Sequence, residues 1–362
     1  MTLDTLLSSA VRKPDESIRT AARHRWDRIA KPVDGLGRFE EIVCRIAAML
    51  RDPVPDLSKK ALIIMCADNG VTKEGVAQTD QSVTGKVAAL MGQGRSSVGI
   101  MTSGYPVDIF PVDVGMNSDL VPEGVADRKV KKGTADLMKT AAMSEEECLR
   151  GIEAGMEAVK QCAERGYRII ATGEMGIGNS TSSTALLCAL TGAAPEEIVG
   201  SGAGLPRSGV QHKLGVIQEA LRVHFDGRIC GDSSRPEDAF DALRRVGGLD
   251  IAALAGVFLQ GAVSGIPIVI DGLISAAAAL CAERIVKGCR AYMIASHRGR
   301  GRGTMEALSR LELTPVIDAD LALGEGSGAV MLLPLLDMAM ALYRNGTSFS
   351  EAGICRYERF HA

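Results

Sequence analysis

The 362-residue sequence has few aromatic residues and no excess of charge of either sign. Phe, Trp and Tyr make up 4% of the chain and glycine numbers 41, which disfavours a β-sandwich or a base-stacking surface and favours a compact α/β protein. Because 41 basic residues oppose 44 acidic ones, we expect neither nucleic acid nor a membrane as partner. The N-terminus lacks the apolar core of a signal peptide, so we expect a cytoplasmic protein.

The sequence also lacks the patterns of a disulfide framework or a zinc site. Its nine cysteines are irregularly spaced, form no CxxC pair and lie mostly in apolar segments. The five histidines do not combine with them at zinc-ligand spacing. We therefore expect reduced, buried thiols, no metal site and no cofactor.

One apolar segment is long enough to cross a membrane. Residues 251–270 contain no charged side chain. However, Gln260, Ser264 and the sequence SGIP interrupt the segment before a β-branched stretch that ends at Asp271. We predict a buried helix, a Gly-Pro turn and a buried strand, with a membrane helix as the less favoured alternative.

Five apolar segments without period-2 alternation predict the strands of a parallel sheet covered on both faces. They are ALIIMCAD (61–68), VDIFPVDVG (107–115), YRIIATGEMG (167–176), IPIVIDG (266–272) and AYMIAS (291–296). Helical patterns such as that of 148–163 lie between them. The alternation predicts a doubly wound, Rossmann-like α/β fold.

Both ends of the chain carry helical patterns only. We predict a small helical domain built from 1–50 and about 331–362, beside a catalytic α/β domain of 51–330. The alternative is that the two ends form a dimer contact.

Polar or glycine-rich residues follow each predicted strand, as at Asp68-Asn69, Asp113, Glu174, Asp271 and Ser296-His297. Taken singly, each is more often a turn residue. Because ligands bind at the carboxyl ends of strands in open α/β sheets, the set together predicts one shared crevice. His297 suits either a site or a helix cap.

Two glycine-rich segments are candidates for binding phosphate. In GEMGIGNSTSS (173–183), Gly176 and Gly178 permit close backbone approach, and Asn179 can begin a helix whose N-terminus attracts anions. The segment has neither a Walker A ending nor a full GxGxxG pattern. The second segment, GSGAGLPRSGVQHK (200–213), contains Gly202 and ends at Lys213, which is either a phosphate ligand or a solvated lysine.

Nucleophilic catalysis finds no support, because the sequence has no GxSxG elbow and no histidine spacing that suggests a triad. The segment RGRGR (298–302) is interpreted as a mobile basic loop that can meet phosphate. Two carboxylates, Glu174 and Glu325, are left for acid–base chemistry. Glu325 stands in LALGEGSGAV (321–330), among glycines and small apolar residues where a solvated charge is unexpected.

Motifs along nearly the whole chain resemble those of the nicotinate-nucleotide–dimethylbenzimidazole phosphoribosyltransferase family. They are KPVDGLGRFE (31–40), MCADNGVTKEGV (65–76), VDVGM (112–116), GEMGIGNSTSS, VGGLDIAALAGVFLQGA (246–262), IVIDGLISAAAAL (268–280), SH (296–297) and LGEGSGA (323–329). The resemblance implies that a benzimidazole nitrogen attacks C1′ of nicotinate mononucleotide, nicotinate leaves, and the configuration inverts from β to α.

The resemblance also implies roles for individual residues. Glu325 matches the catalytic base, whose pKa burial is expected to raise, and Glu174 matches a carboxylate that supports positive charge on the ribose. Other residues are implied to bind substrate: Gly176, Gly178, Asn179, Gly202, Lys213, Asp271 and Ser296 for the nucleotide region, and Thr79, Met91 and Leu323 for the aromatic base.

Three questions stay open at this stage. The segments 76–87, 200–213 and 298–302 depart from the family pattern, and Ala322 stands where many members carry Arg, so the acceptor is a benzimidazole, a purine or a phenol. The resemblance implies a homodimer with the N-terminal helices near the partner's site, or a dimer with a related chain. The alternative functions are a nucleotide N-glycosidase and a non-catalytic regulatory paralogue.

Overall fold

A six-stranded parallel sheet forms the centre of the protein in the computed structural model, which describes residues 1–226 and 235–358. The strand order, β3-β2-β1-β4-β5-β6, is that of a doubly wound Rossmann sheet, which confirms the predicted fold class. The strands are β1 Lys60–Ala67, β2 Val107–Gly115, β3 Ala126–Asp127, β4 Ile169–Met175, β5 Ile268–Ile270 and β6 Met293–Ala295. All five predicted segments contain a strand, although β5 and β6 have only three residues each.

Fourteen α-helices are present in the described ranges. They are α1 Leu3–Leu7, α2 Glu16–Trp26, α3 Arg38–Leu50, α4 Ser82–Gly92, α5 Ser97–Met101, α6 Glu145–Glu164, α7 Asn179–Thr191, α8 Pro195–Ile198, α9 Arg207–Phe225, α10 Pro236–Val246, α11 Leu249–Ser264, α12 Leu273–Ile285, α13 Arg302–Arg310 and α14 Ser327–Asn345. The predicted helix over 148–163 is confirmed as α6, which a Ser144–Glu147 capping box begins.

Helices α6 and α11 pack backbone against backbone. A Cβ atom added to Gly155 would lie 1.8 Å from the carbonyl oxygen of Ala253, and one added to Gly256 would lie 2.0 Å from that of Ile152. Only glycine allows this approach. The apolar segment at 251–270 is therefore a buried core helix followed by β5, as predicted.

The long apolar helix α14 also has the length and composition of a membrane span. Just over half of its apolar window (56%) is buried inside the protein, and Pro334 lies within it. Buried core helices of soluble proteins share these properties, so the helix is weak evidence for a membrane.

Helices from the two ends of the chain are in contact. The rings of Trp26 in α2 and Tyr343 in α14 lie 4.9 Å apart, and Arg25 donates hydrogen bonds to the carbonyl oxygens of Tyr343 and Arg344. Because α14 begins at Ser327, it crosses the proposed domain boundary at 331. The boundaries of the small domain stay a prediction.

A second, two-stranded sheet was not predicted. Strand β7, His297–Gly299, pairs in parallel with β8, Ile317–Leu321. The first part of the RGRGR segment is thus a strand and not a loop, and Arg298 pairs with Asp318 at 3.3 Å.

The described cysteines are free thiols, and all but the exposed Cys355 are buried. Cys230 lies outside the described residues.

Candidate functional site

The carboxyl ends of the central strands bring polar side chains to one edge of the sheet. Strand β1 lies between β2 and β4, with Cys66 opposite Asp113 and Met65 opposite Glu174. The strand is followed by Asp68, whose carboxylate accepts hydrogen bonds from the Thr84 hydroxyl at 2.6 Å and the Asn117 N–H at 2.7 Å. These polar side chains lie at the strand ends, where the sequence predicted a shared crevice; the crevice itself stays a prediction.

Glu174 lies near the carboxyl end of β4 and shares a hydrogen-bond donor with a second carboxylate. The side-chain nitrogen of Asn179 lies 2.5 Å from Oε2 of Glu174 and 3.0 Å from Oδ2 of Asp250. Asn179 is the first residue of α7, and Asp250 lies in the first turn of α11. The strand end and two helix starts therefore meet at a single amide.

Desolvation raises the pKa of Glu174 to about 8. The Asn179 hydrogen bond opposes the rise, whereas the negative charges of Asp250, Asp271 and Glu325 add to it. Desolvation likewise raises the pKa of Asp250 to about 6, again opposed by Asn179. These influences show that the four carboxyl groups form one electrostatic cluster.

Glu325 lies on a left-handed turn beside Glu174. Its φ of 58° is flanked by Gly324 at 84° and Gly326 at 85°, so the chain turns sharply before α14. A Cβ added to Gly324 would lie 2.7 Å from Oε1 of Glu174, and one added to Gly173 would lie 2.7 Å from the Glu325 carbonyl oxygen. The glycines therefore hold the two acidic segments in direct contact.

The half-buried carboxylate of Glu325 is held by one oxygen only. Its Oε2 accepts a hydrogen bond of 3.0 Å from the backbone N–H of Val98, near the start of α5. Within the described residues, Oε1 accepts no hydrogen bond. One oxygen thus orients the group while the other is open to a donor from a ligand.

Asp271 supports this turn from below. It is 3% exposed, and its Oδ1 accepts a hydrogen bond of 3.0 Å from the N–H of Ala329 in the first turn of α14. Since Gly326, the N-cap of α14, has no side chain, Asp271 serves as a cap from another segment. Its predicted contact with substrate stays a prediction.

Ser296 and His297 lie under the same helix. The Ser296 hydroxyl donates to the Ile270 carbonyl at 2.6 Å and lies 2.9 Å from Nδ1 of His297. A Cβ on Gly328 would lie 2.0 Å from that Nδ1, so the imidazole fills the space beneath α14. Burial lowers the pKa of His297, and the neighbouring Asp271 opposes this. His297 thus packs as a support of the helix start.

Lys213 is a buried residue of α9 whose ammonium group lies beside the start of α7. It is 1% exposed, and its Nζ donates to the Ser180 hydroxyl at 2.9 Å and to the Gly200 carbonyl at 3.4 Å. Desolvation lowers its pKa to about 8. A Cβ on Gly202 would lie 2.8 Å from the Ser180 oxygen and 3.5 Å from Nζ, so that glycine borders the same space. The arrangement suits an anion, which a helix N-terminus also attracts.

The glycines of the GEMGIGNSTSS segment are required by packing. A Cβ on Gly176 would lie 2.3 Å from the Ala67 carbonyl oxygen and 2.6 Å from Oδ2 of Asp250. Gly178 has a φ of 95° and is the N-cap of α7. Their predicted role towards phosphate stays a prediction.

The three residues predicted for the aromatic base occupy different environments. Thr79 is exposed in the segment before α4, whereas Met91 on α4 is buried in the core. Leu323 is 53% exposed and lies two residues before Glu325.

Sequence reasoning missed Asp250, Ser180 and the Val98 N–H. Asp250 had a visible signal, because it is the one charge in the apolar stretch GLDIAALAGVFLQGA. Ser180 lies in the GEMGIGNSTSS segment that was a candidate for phosphate, but the Val98 N–H had no signal, since its role depends on a contact with a distant segment. Among the described residues, no three His, Cys, Asp or Glu side chains are grouped as metal ligands.

Comparisons with known proteins show the family of this chain. A family model described as phosphoribosyltransferase matches residues 11–354. The nicotinate-nucleotide–dimethylbenzimidazole phosphoribosyltransferase of Ruminiclostridium cellulolyticum is 38% identical over 358 residues and covers 99% of both chains. The enzyme of the same name from Alkaliphilus metalliredigens is 39% identical and covers 94% of this chain and 95% of its own.

A solved structure has the same fold. The crystal structure of CobT from Thermus thermophilus superposes with a TM-score of 0.87 at 35% identity, covering 94% of this chain and 100% of that chain.

Proposed function

Because the chain belongs to the nicotinate-nucleotide–dimethylbenzimidazole phosphoribosyltransferase family, we propose that it moves the 5-phosphoribosyl group of nicotinate mononucleotide onto a benzimidazole-type base. The products are an α-riboside 5′-phosphate and nicotinate. The observation that carries the proposal is the full-length match; the carboxylates of Glu174 and Glu325 and the buried Lys213, which has no acidic partner among the described residues, support it.

The chemistry of the transfer gives a use for carboxylates beside the reacting atoms. In nicotinate mononucleotide the pyridinium nitrogen is positively charged, so when its bond to C1′ breaks it takes the electron pair and leaves neutral. The leaving group needs no general acid. The incoming benzimidazole attacks C1′ with its bare nitrogen and must lose the proton on its other nitrogen, which requires a base.

We assign the base to Glu325. The Val98 N–H holds Oε2, which leaves Oε1 to accept the proton of the acceptor's N–H. The flanking Gly324 and Gly326 carry no side chains that would obstruct a flat aromatic ring. The neighbouring carboxyl of Glu174, in its ionised form, supports the positive charge that develops on the ribose as nicotinate leaves.

In this proposal, the phosphate of nicotinate mononucleotide binds near Lys213. A buried ammonium that already donates to the Ser180 hydroxyl can bind a phosphate as a point charge, and the start of α7 adds backbone dipoles. In the same proposal, Gly176, Gly178, Gly202, Asn179 and Ser296 bind the ribose and phosphate of the nucleotide.

The proposal is tested by incubating the purified protein with nicotinate mononucleotide and a mixture of benzimidazoles, purines and phenols. Mass spectrometry should detect one ribosylated acceptor per nicotinate released. Formation of ribose 5-phosphate without an acceptor would indicate an N-glycosidase instead, and no turnover would indicate a non-catalytic paralogue.

The assignment of the base is tested by Glu325→Gln, which should lower kcat about 100-fold or more. Glu312→Gln is the matched control, because Glu312 has the same left-handed backbone (φ 56°) but is exposed and pairs with Arg290. Equal activity of the two variants would contradict the assignment.

We further propose that the protein is a cytoplasmic homodimer. Met331, Leu335 and Met338 form an exposed apolar stripe along α14, and Ile100 and Met101 of α5 are exposed as well. Helices α5 and α14 are in contact, so these residues can form one face. Leu335→Glu should convert a dimer to a monomer in analytical ultracentrifugation, and a monomeric unaltered protein would contradict the proposal.

A further inference from the structure

Asp250 is a fully buried carboxylate to which the proposed reaction gives no role. It lies in the first turn of α11, a helix that is otherwise apolar through Phe258, and it is 0% exposed. Within the described residues no Lys or Arg pairs with it. Burying an unpaired charge is costly, so the group must be held by hydrogen bonds.

One of these hydrogen bonds connects Asp250 with Glu174 through the Asn179 amide. The Asp250 Oδ2 lies 3.0 Å from the Asn179 amide nitrogen, and the same nitrogen lies 2.5 Å from Oε2 of Glu174. An amide nitrogen carries two hydrogens, so it can serve both carboxylates at once. If the amide rotated by half a turn, its oxygen would face two carboxylate oxygens and both hydrogen bonds would be lost.

We propose that Asp250 is a positioning residue: it fixes the orientation of the Asn179 amide, and through that amide it sets the direction and the charge state of the Glu174 carboxyl. The inference rests on the proposed phosphoribosyl transfer, because Glu174 acts there in its ionised form beside the ribose.

Rigid neighbours hold the three groups in register. A Cβ on Gly176 would lie 2.6 Å from Oδ2 of Asp250 and 3.2 Å from the Asn179 nitrogen, so the backbone of residue 176 seals this side. On the other side, a Cβ on Gly248 would lie 2.5 Å from Oδ1 of Asp250 and 2.4 Å from the side-chain oxygen of Asn69. The carboxylate therefore has little room to turn.

The other charged and titratable groups around Glu174 come from three further segments. Asp271 follows β5, Glu325 precedes α14, and the Cys66 thiol of β1 lies below, where burial raises its pKa. Asp250 and Asn179 act on the pKa of Glu174 in opposite directions, since the charge of Asp250 raises it and the Asn179 hydrogen bond lowers it.

Because the two residues act on this pKa in opposite directions, their substitutions should shift the pH profile in opposite directions. Because the proposed turnover needs an ionised Glu174, kcat/KM should decrease at low pH as this carboxylate becomes protonated. This decrease is the acid limb of the pH profile. In Asp250→Asn, which removes the charge at constant shape, the midpoint of that acid limb should move to lower pH. In Asn179→Ala, which removes the donor, the midpoint should move to higher pH. In Asp250→Asn, kcat should also fall about tenfold or more while the KM for nicotinate mononucleotide changes less.

A matched control separates positioning from general loss of a buried acid. Glu283 on α12 is 6% exposed and accepts backbone hydrogen bonds from Gly288 and Arg290, away from the sheet edge. Glu283→Gln should lower the thermal midpoint and leave the acid limb where it is in the unaltered enzyme.

The outcomes distinguish the inference from the proposed function. An unaltered enzyme that transfers no phosphoribosyl group refutes the function itself. If the unaltered enzyme is active, an acid limb at the same pH in the folded Asp250→Asn variant overturns the inference. Should that variant fail to fold, an unshifted limb in Asn179→Ala overturns it instead.

Discussion

The ammonium group of Lys213 lies 2.9 Å from the hydroxyl of Ser180, and in the part of the chain that the structure describes no carboxylate pairs with it. A buried lysine without an acidic partner costs free energy in the ligand-free protein. That cost is removed when an anion binds. In the proposed reaction, the phosphate of nicotinate mononucleotide is the anion that would remove this cost.

We expect Lys213→Met to separate binding from stability. The KM for nicotinate mononucleotide should rise about tenfold or more, because a charge-assisted hydrogen bond contributes about 1.5–3 kcal/mol. The thermal midpoint of the ligand-free protein should stay the same or rise, since the buried charge is gone. Steady-state kinetics and a melting curve measure the two effects. Lys160→Met, at an exposed position on α6, should change neither, and a lower midpoint for Lys213→Met alone would contradict this account.

Glu174 should make the protein's stability depend on pH. The folded protein holds this proton up to a pH of about 8, whereas an unfolded glutamate releases it near 4.5. The unfolded state thus binds fewer protons in this interval, and the contribution of Glu174 to stability falls as the pH rises through it. The free energy of unfolding of Glu174→Gln, taken relative to that of the unaltered protein, should therefore be higher at pH 8.5 than at pH 5 by about 1 kcal/mol or more. Urea unfolding at both pH values tests this, and a pH-independent difference would count against it.

Loss of the remote cap at α14 should affect both stability and turnover. Asp271→Ala removes the acceptor for the Ala329 N–H and should cost about 1–2 kcal/mol in the free energy of unfolding. Because the cap holds the turn that carries Glu325, kcat should fall about tenfold or more, since small displacements of reacting groups are costly.

Ser144→Ala is the control for this prediction. Ser144 caps α6 through a capping box, so its loss should lower stability by a similar amount and leave kcat unchanged. A large rise in the KM for the nucleotide in Asp271→Ala would instead support the predicted contact of Asp271 with substrate.

The contact between Gly324 and Glu174 predicts a specific sensitivity. Gly324→Ala places a methyl group 2.7 Å from Oε1 of Glu174 on a left-handed backbone, so it should lower kcat about tenfold or more and stability by about 1 kcal/mol. Gly104 has the same φ of 84° with nothing within 4 Å of an added Cβ. Gly104→Ala should therefore lose similar stability and keep full kcat; equal losses of activity would refute the prediction.

The sequence predicted those features that depend on local pattern. The unbroken apolar segments around β1 and β4 predicted covered strands, and the polar residues after them predicted a shared crevice. The remote features were out of reach, because the cap from Asp271 to Ala329 joins residues 58 positions apart. The raised pKa of Glu174 was equally hidden, since it comes from burial and from carboxylates on three other segments.

Short elements were also missed for a physical reason. Strand β7 has three residues and includes Arg298 and Gly299, which have no strand pattern of their own. Its geometry comes from pairing with β8. Asp250 was visible as a lone charge, but its connection to Glu174 runs through the amide of Asn179, which no spacing reveals.

The glycines at the contact between α6 and α11 restrict which substitutions the two helices can accept in evolution. With main-chain atoms of one helix resting against the other at Gly155 and Gly256, neither helix tolerates added bulk unless its companion gives way. The two must diverge in step, and a hybrid that takes α6 from a distant relative will need that relative's α11 as well.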